Sequence, residues 1–206
     1  MHFSTAIPLA VLWLAASPLA LAASSTALAV KGTITPSACA PLISGGGMVD
    51  YGKMAARDLQ AEQYTALPSQ SMQLSVRCEA PTFFTLTTVD NRAGSSANHA
   101  SWHGLGMTAE GEKLGGAAFH LYAPVADGVA VRTITSVDGG VTWLPTSLLT
   151  HNMLTAVALG NQLVPIAVRD FDAQIRLYTH IAPADGLTLT DEVPVDGHAT
   201  VQVTYL

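Results

Sequence analysis

The last stretch of the chain reads Gly197-His198-Ala199-Thr200-Val201-Gln202-Val203-Thr204-Tyr205-Leu206. Its apolar and polar residues alternate with period two, which predicts a β-strand with one buried face. Terminal residues are usually loose unless they are tied into a sheet. A strand that continues to the final residues therefore indicates that this strand closes a sheet or offers its edge to a partner. Because an exposed edge favours aggregation, we expect something to cover it.

The other end of the chain has the pattern of a secretion signal. Residues 6–16 are almost wholly apolar, and Ala20-Leu21-Ala22 places small residues at the positions that signal peptidase requires. The apolar run is short for a bilayer-spanning helix, which needs roughly 20 residues. We therefore predict a signal peptide over residues 1–22, with a retained anchor as the alternative. No later segment is long and apolar enough to predict a membrane span in the mature chain.

The chain has two cysteines, Cys39 and Cys78, and both follow the predicted signal. An exported chain reaches an oxidising compartment, where paired cysteines are normally oxidised. We therefore predict a disulfide between them. Two buried free thiols are the alternative.

Composition limits the classes of partner. The chain has a formal net charge of −6, and charged residues make up 12% of it. Nucleic-acid binding requires a basic footprint, and attachment to anionic lipid requires basic clusters. Neither partner is expected. The length after the signal suits a single domain.

The interior of the chain consists of short alternating or β-branched segments separated by Gly, Pro and Asp-Gly turns. Many short strands with regular turn signals predict an all-β sandwich. One short helical turn is expected within 53–66, residues 147–160 fit either a helical turn or a loop, and residues 39–41, 90–101 and 170–172 are predicted to be loops. The predicted strands are 26–35, 48–51, 71–78, 83–89, 105–108, 116–123, 129–135, 141–144, 163–169, 174–181 and 199–205.

Residues that could carry chemistry have simpler structural interpretations. His99 and His103 are four apart, but the surrounding sequence indicates a loop and supplies no further metal ligand. Asp170 and Asp172 could form a carboxylate pair, although a solvated loop is the much commoner explanation of such a pattern. No nucleophile elbow or phosphate-binding loop occurs. We therefore expect no metal, no cofactor and no enzymatic activity.

Four large aromatic residues could form a sugar-stacking surface, although core packing is the usual role of such side chains. These are Tyr64, Trp102, Trp143 and Phe171.

Several motifs occur in an order that is typical of one family. They are Lys31-Gly32-x-Ile34 ahead of Cys39, Val49-Asp50-Tyr51-Gly52, Leu74-x-Val76-x-Cys78, Gly104-Leu105-Gly106 with Gly115-Gly116 and Leu121-Tyr122, and the terminal strand with its penultimate Tyr205. With these motifs the chain resembles subunits of chaperone–usher pili. The resemblance is greatest to the poorly characterised fimbrial-like secreted proteins of Gram-negative bacteria.

This resemblance implies an immunoglobulin-like, pilin-type β-sandwich that lacks its final strand. In such subunits a periplasmic chaperone first fills the resulting groove by β-strand addition. The N-terminal extension of a neighbouring subunit then replaces the chaperone at the outer-membrane usher. The chain would thus be exported through the periplasm to a fimbrium at the cell surface, where it could contribute to adhesion.

The resemblance also assigns roles within this chain. Residues 23–35 would be the donor extension, with Leu28, Val30 and Gly32 entering a neighbour, and residues 36–206 would be the pilin-like domain. Val201, Val203 and Tyr205 would line the acceptor edge that meets the chaperone or the next subunit. Cys39 and Cys78 would pin the first strand to the next.

The donor extension is short for this family. At about 3.3 Å per residue, residues 23–31 would span about 30 Å, enough for one strand with little to spare. The alternative is a self-contained secreted β-sandwich whose own last strand completes the fold and which binds a ligand such as a glycan.

Overall fold

The computed structural model describes residues 38–206, with residue 29 described alone before them. By its internal contacts the chain divides into residues 1–34 and 35–206, and residues 38–206 belong to the second unit. Its short 3-10 helices are Ser44–Gly47, Ala56–Asp58 and Ala184–Gly186. Its strands are β1 (Cys39–Ile43), β2 (Thr65–Ala66), β3 (Gln70–Thr82), β4 (Phe84–Asp90), β5 (His103–Gly104), β6 (Gly115–Ala126), β7 (Val129–Ala130), β8 (Arg132–Ser136), β9 (Leu144–Pro145), β10 (Leu148–Leu149), β11 (Leu154–Ala158), β12 (Val168–Ile181) and β13 (Ala199–Tyr205).

The strands form two antiparallel sheets. The larger sheet has the order β1-β3-β12-β6-β10, with β2 paired to β12 and with β5 and β7 paired to β6. The smaller sheet has the order β13-β4-β11-β8-β9. The predicted all-β sandwich is confirmed.

The main core lies between the two sheets. Leu74 and Val76 of β3 lie beside Phe171 and Ile175 of β12 on the inner face of the larger sheet. Leu86 of the smaller sheet packs in the same buried cluster. The alternation predicted for residues 71–78 is therefore confirmed. Burial of this apolar surface contributes about 25 cal/mol per Å² to folding.

The disulfide is confirmed, and it joins the first two long strands. Cys39 and Cys78 are bonded and lie directly opposite each other in the β1–β3 pair. The predicted loop at residues 39–41 was wrong, because these residues begin β1. Pro41 is tolerated there because β1 is an edge strand, on which a missing N–H can face away from the neighbour.

The predicted loop at residues 170–172 was also wrong. These residues belong to β12, a single strand of 14 residues. Phe171 is 0% exposed and belongs to the core. The register of β12 shifts between Val168 and Asp170 against β3, and between Asp172 and Gln174 against β6. These irregularities interrupt the alternating pattern in the sequence, and long-range pairing outweighs that local interruption.

Several further predictions were wrong or incomplete. Residues 48–51 form no strand and have no regular secondary structure. Of the strands predicted over residues 105–108, 141–144 and 163–169, the first contains only an isolated bridge at Met107, and the other two are strand only at Leu144 and at residues 168–169. Residues 147–160, left open between helical turn and loop, contain β10 and β11, and β11 lies at the centre of the smaller sheet. The single helical turn expected within 53–66 is the 3-10 turn Ala56–Asp58.

Candidate functional site: the groove between β1 and β13

The two sheets have edge strands that lie near each other. β13 pairs with β4 in one continuous register, from Ala199 opposite Asp90 to Tyr205 opposite Phe84. β1 pairs with β3 at the edge of the larger sheet. Within residues 38–206, no strand pairs with the outer side of either β1 or β13. Two backbone edges therefore border the same opening of the sandwich.

The residues predicted for the acceptor edge alternate along β13. Val201 and Val203 are half-buried and pack against the main core, whereas Gln202 and Thr204 are exposed. Tyr205 is 38% exposed, and its hydroxyl accepts a hydrogen bond of 2.9 Å from the backbone N–H of Cys39. The two edges are thus joined at the disulfide end of the opening.

Away from that contact the sheets enclose an apolar cavity of about 830 Å³. Its walls come from both edge strands and from the sheet interior between them. The main apolar wall residues are Ile43, Met72, Phe119, Ile175, Leu177 and Val201. Most of these are only partly buried, so the sandwich leaves apolar surface that no described residue covers. This surface can accept alternate apolar side chains of an added strand.

The far end of the cavity is covered by residues 49–59 and 187–195. These segments have little regular secondary structure. Val49 and Leu59 from the first segment, and Leu187 and Val193 from the second, pack against a second buried cluster that contains Leu177. The cover therefore belongs to the fold and shortens the open part of the groove.

Polar anchors hold this cover in place. The Glu112 carboxylate accepts hydrogen bonds from the backbone N–H of Thr188 at 2.6 Å and from the hydroxyls of Thr188 and Thr108 at 3.0 and 2.9 Å. These bonds, led by the Thr188 N–H, lower the pKa of Glu112 below its ordinary value. The hydroxyl of Tyr51 donates to the Thr179 hydroxyl at 2.9 Å.

An ion pair joins the two covering segments at the surface. The Lys53 ammonium lies 2.6 Å from the Glu192 carboxylate, and both side chains are 86% exposed. A pair this exposed adds at most about 1 kcal/mol to stability. The packing of the apolar residues beneath it therefore holds the cover more than this ion pair does.

A histidine that sequence analysis considered for metal binding lies at the cavity wall. His103 is 2% exposed, and its Nε2 lies 2.7 Å from the Thr88 hydroxyl. Burial, together with nearby His151, lowers the pKa of His103. His99 instead lies in a loop, where its Nδ1 is 2.9 Å from the Ser101 hydroxyl. In the part of the chain that the structure describes, no three His, Cys, Asp or Glu side chains are grouped to hold a metal.

The four aromatic residues considered as a sugar surface do not lie together. Phe171 is in the core, and Trp143 packs on the cluster of Ile134, Ala156 and Ala158. Trp102 contacts His180, with ring centroids 4.9 Å apart. The hydroxyl of Tyr64 donates to the Ala97 carbonyl at 2.6 Å. The four-residue surface is therefore excluded by the burial of Phe171.

The donor-strand residues Leu28, Val30 and Gly32 lie outside the described residues, so their role stays a prediction. Sequence reasoning missed the cover formed by residues 187–195. Its only signal was a set of apolar residues, Leu187, Leu189, Val193 and Val195, in a stretch without a strand or helix period.

Among residues 38–206, no helix has the length and apolar character needed to cross a bilayer.

Comparison with known proteins gives one family and two relatives. A family described as "Protein of unknown function (DUF1120)" matches residues 28–103. Protein GltF of Escherichia coli (strain K12) is 26% identical over 249 aligned residues, covering 100% of this chain and 98% of that protein. The uncharacterized protein YhcF of the same organism is 32% identical over 76 residues, which are 37% of this chain and 32% of YhcF. The similarity to GltF thus extends over the whole sandwich.

Proposed function

We propose that this chain is a structural subunit of a surface fimbria and that it is completed by a strand donated from a partner. The observation that carries the proposal is that, within residues 38–206, no strand pairs with the outer side of β1 or of β13, and that these two edges border an apolar groove. A periplasmic chaperone would fill this groove first, and a neighbouring subunit would replace the chaperone during assembly at the outer-membrane usher.

The order of the strands supports an immunoglobulin-like arrangement. An immunoglobulin sandwich has the sheets A-B-E-D and C-F-G. The larger sheet here begins β1-β3-β12-β6, and the smaller sheet begins β13-β4. If β1, β3, β4, β6, β12 and β13 correspond to A to F in chain order, both sheets match. Within residues 38–206 strand G has no counterpart, and its place would be beside β13.

The side chains along β13 support the same role. Val201 and Val203 face the core, so a strand added to the outer side of β13 would pack its own alternate residues against the same apolar interior. Main-chain hydrogen bonds would supply affinity, and the alternate side chains would set the register. Burial of each large apolar side chain would add about 1.5–3 kcal/mol.

The predicted signal peptide and the confirmed disulfide agree with this proposal. A disulfide between β1 and β3 fixes one wall of the groove before any strand is added. Such bonds persist in the periplasm and at the cell surface, which are the compartments through which a fimbrial subunit passes.

The alternative, a self-contained sandwich closed by its own last strand, is less well supported. β13 is that last strand, and its outer side has no strand partner among the described residues. It therefore does not close the sheet to which it belongs.

The decisive experiment is urea unfolding of the purified mature chain, with and without a peptide that covers residues 23–36. A matched control peptide carries Asp in place of Leu28 and Val30. At a peptide concentration 100 times Kd, binding to the folded state should raise the free energy of unfolding by about 2.7 kcal/mol. The control peptide should have no effect.

A second arm covers the case in which another subunit supplies the strand. Val203→Asp should abolish co-purification with the periplasmic chaperone, whereas Gln202→Asp, on the exposed face of the same strand, should retain it. A chain that unfolds cooperatively at high urea, ignores the peptide and is captured equally in both variants would refute strand donation.

A further inference from the structure

The outer face of the larger sheet carries a cluster of polar aromatic residues around one arginine. Arg176, Tyr178 and His180 alternate along β12 with Ile175, Leu177 and Thr179, which are buried. On the neighbouring strand β6, His120 and Tyr122 flank the buried Leu121. We call Arg176, Tyr178, His120 and Tyr122 the Arg176 platform.

Close contacts order the platform. The guanidinium carbon of Arg176 lies 4.5 Å from the centroid of the Tyr122 ring. The hydroxyls of Tyr122 and Tyr178 are 3.1 Å apart, and the His120 ring meets the Tyr178 ring edge-on at 5.4 Å. The Nδ1 of His120 lies 3.0 Å from the Ser147 hydroxyl, which fixes that ring from the other side. All four side chains are half-buried, so they hold their positions while remaining reachable from solvent.

The hydrogen bonds of the platform leave one donor unused. In the bond between the Tyr122 and Tyr178 hydroxyls, either oxygen can be the donor. The interactions with Tyr122 and Arg176 lower the pKa of Tyr178. Whichever ring donates, the pair uses only one of its two O–H groups, and none of residues 38–206 accepts a hydrogen bond from the other.

The charge of the platform is also uncompensated. Within the described residues, Arg176 makes no ion pair with a carboxylate. The nearest acid along the same face of β12, Asp172, is instead bound by Arg77 at 2.8 Å. A planar guanidinium matches a carboxylate with two parallel N–H donors, so Arg176 is available to an anion from outside the fold.

We propose that the Arg176 platform binds a carboxylate-bearing sugar of a glycan. The guanidinium and the unused O–H of the Tyr122–Tyr178 pair both present donors to the same side of the sheet, and a carboxylate accepts two such donors at once. The aromatic edges beside them offer apolar contact to the sugar ring. The rings of Trp102 and His180, which contact each other at a tilt of 55°, lie next along β12 and extend this surface.

This site is independent of strand donation. Ile175 and Leu177, which alternate with Arg176 and Tyr178, point to the cavity on the other side of the sheet. A chain could therefore hold a donated strand in its groove and a sugar on its outer face simultaneously. For the same reason, failure of either activity would leave the other measurable.

The test uses the exported chain on an array of sialylated and uronate-containing glycans, with each acidic probe printed beside its neutral parent. We expect binding to acidic probes, none to the neutral parents, and weakening as salt is raised. Arg176→Gln should weaken binding at least tenfold. Arg169→Gln, an exposed position at the start of the same strand, makes the same charge change and should leave binding unchanged.

Replacing both Tyr122 and Tyr178 by Phe provides a second variant, which removes only the two hydroxyls and should also weaken binding at least tenfold. If Arg176→Gln lowers the urea midpoint, this double variant tests the proposal instead. The proposal is overturned if no acidic glycan binds, if neutral parents bind equally well, or if a folded Arg176→Gln chain or a folded Tyr122→Phe/Tyr178→Phe chain binds as the wild type does.

Discussion

The backbone N–H of Cys39 donates a hydrogen bond of 2.9 Å to the hydroxyl of Tyr205, across 166 residues of sequence. Cys39 begins the edge strand of the larger sheet, and Tyr205 ends the edge strand of the smaller one. This bond is a direct link between the two edges, and it lies where the disulfide anchors β1. It defines the closed end of the proposed acceptor groove.

Removal of the Tyr205 hydroxyl should break its hydrogen bond to the Cys39 N–H while the aromatic ring stays in place. Tyr205→Phe is expected to lower the free energy of unfolding by about 1 kcal/mol, because the bond is partly exposed and exchanges with water. Urea unfolding measures the change. Gln202 is an exposed residue on the same strand, and Gln202→Ala should change the free energy of unfolding by less than about 0.5 kcal/mol. An unchanged midpoint for Tyr205→Phe would mean that the link contributes nothing.

Loss of the disulfide should lower the free energy of unfolding by more than loss of the Tyr205 hydroxyl does. The bond closes a loop with a sequence separation of 39, and replacing both Cys39 and Cys78 by Ala should lower the free energy of unfolding by about 3–4 kcal/mol on loop-entropy grounds. Wild-type chain measured with and without reductant provides the internal control. The double variant should not respond to reductant, and a wild-type chain that is equally indifferent would contradict the prediction.

His103 should make stability depend on pH. Burial lowers its folded pKa, while the unfolded side chain titrates near about 6.5. The unfolded state therefore binds more protons below that pH, so the contribution is complete above about pH 6.5 and is lost as pH falls through the folded value. Burial lowers the pKa of His120 also, and its contribution has the same sign.

The measurement is urea unfolding at several pH values between about 5 and 8, the range in which histidines titrate. His103→Gln should make the free energy of unfolding vary less steeply with pH. Thr88→Val removes the hydrogen-bond partner at 2.7 Å but keeps the imidazole, so it should retain the full slope. Equal slopes in wild type and His103→Gln would show that another group is responsible.

Gly104 should tolerate no side chain. A Cβ placed there would lie 2.0 Å from the Ser95 hydroxyl oxygen and 2.6 Å from the Arg92 carbonyl oxygen, and Ser95 is itself bonded to that carbonyl at 2.7 Å. Gly104→Ala should therefore destabilise the fold by about 1–3 kcal/mol through overpacking. Gly186→Ala is the matched control, because a Cβ there meets nothing within 4 Å. Thermal or urea unfolding that treats the two variants alike would refute the prediction.

The parts of the fold predicted correctly are those with local periodicity. The terminal strand was predicted over residues 199–205, and β13 has those bounds. The inward face of β3 followed from its alternating residues, and the Asp138-Gly139-Gly140 turn separates β8 from β9 as its composition indicated. In each case the signal lies in neighbouring residues, where side-chain alternation or turn chemistry acts directly.

The parts predicted wrongly depend on distant neighbours. Asp170 and Asp172 are polar and flank a single aromatic residue, which locally is typical of a loop. In the structure Arg77 of β3 contacts both carboxylates, and Phe171 enters the core between them. Nothing near these residues in sequence identifies Arg77 as their partner, so the strand could be recognised only once β3 and β12 were paired.

The sequence by itself determined the class of fold, the disulfide and the inward face of the terminal strand, because alternation and the two cysteines act locally or admit a single pairing. Only the tertiary structure decided that β1 and β13 are both edges, that residues 187–195 cover one end of the cavity, and that Arg176 meets Tyr122 and Tyr178 on the outer face. Those relationships depend on strand order, which is set by the packing of apolar faces between residues far apart in the chain.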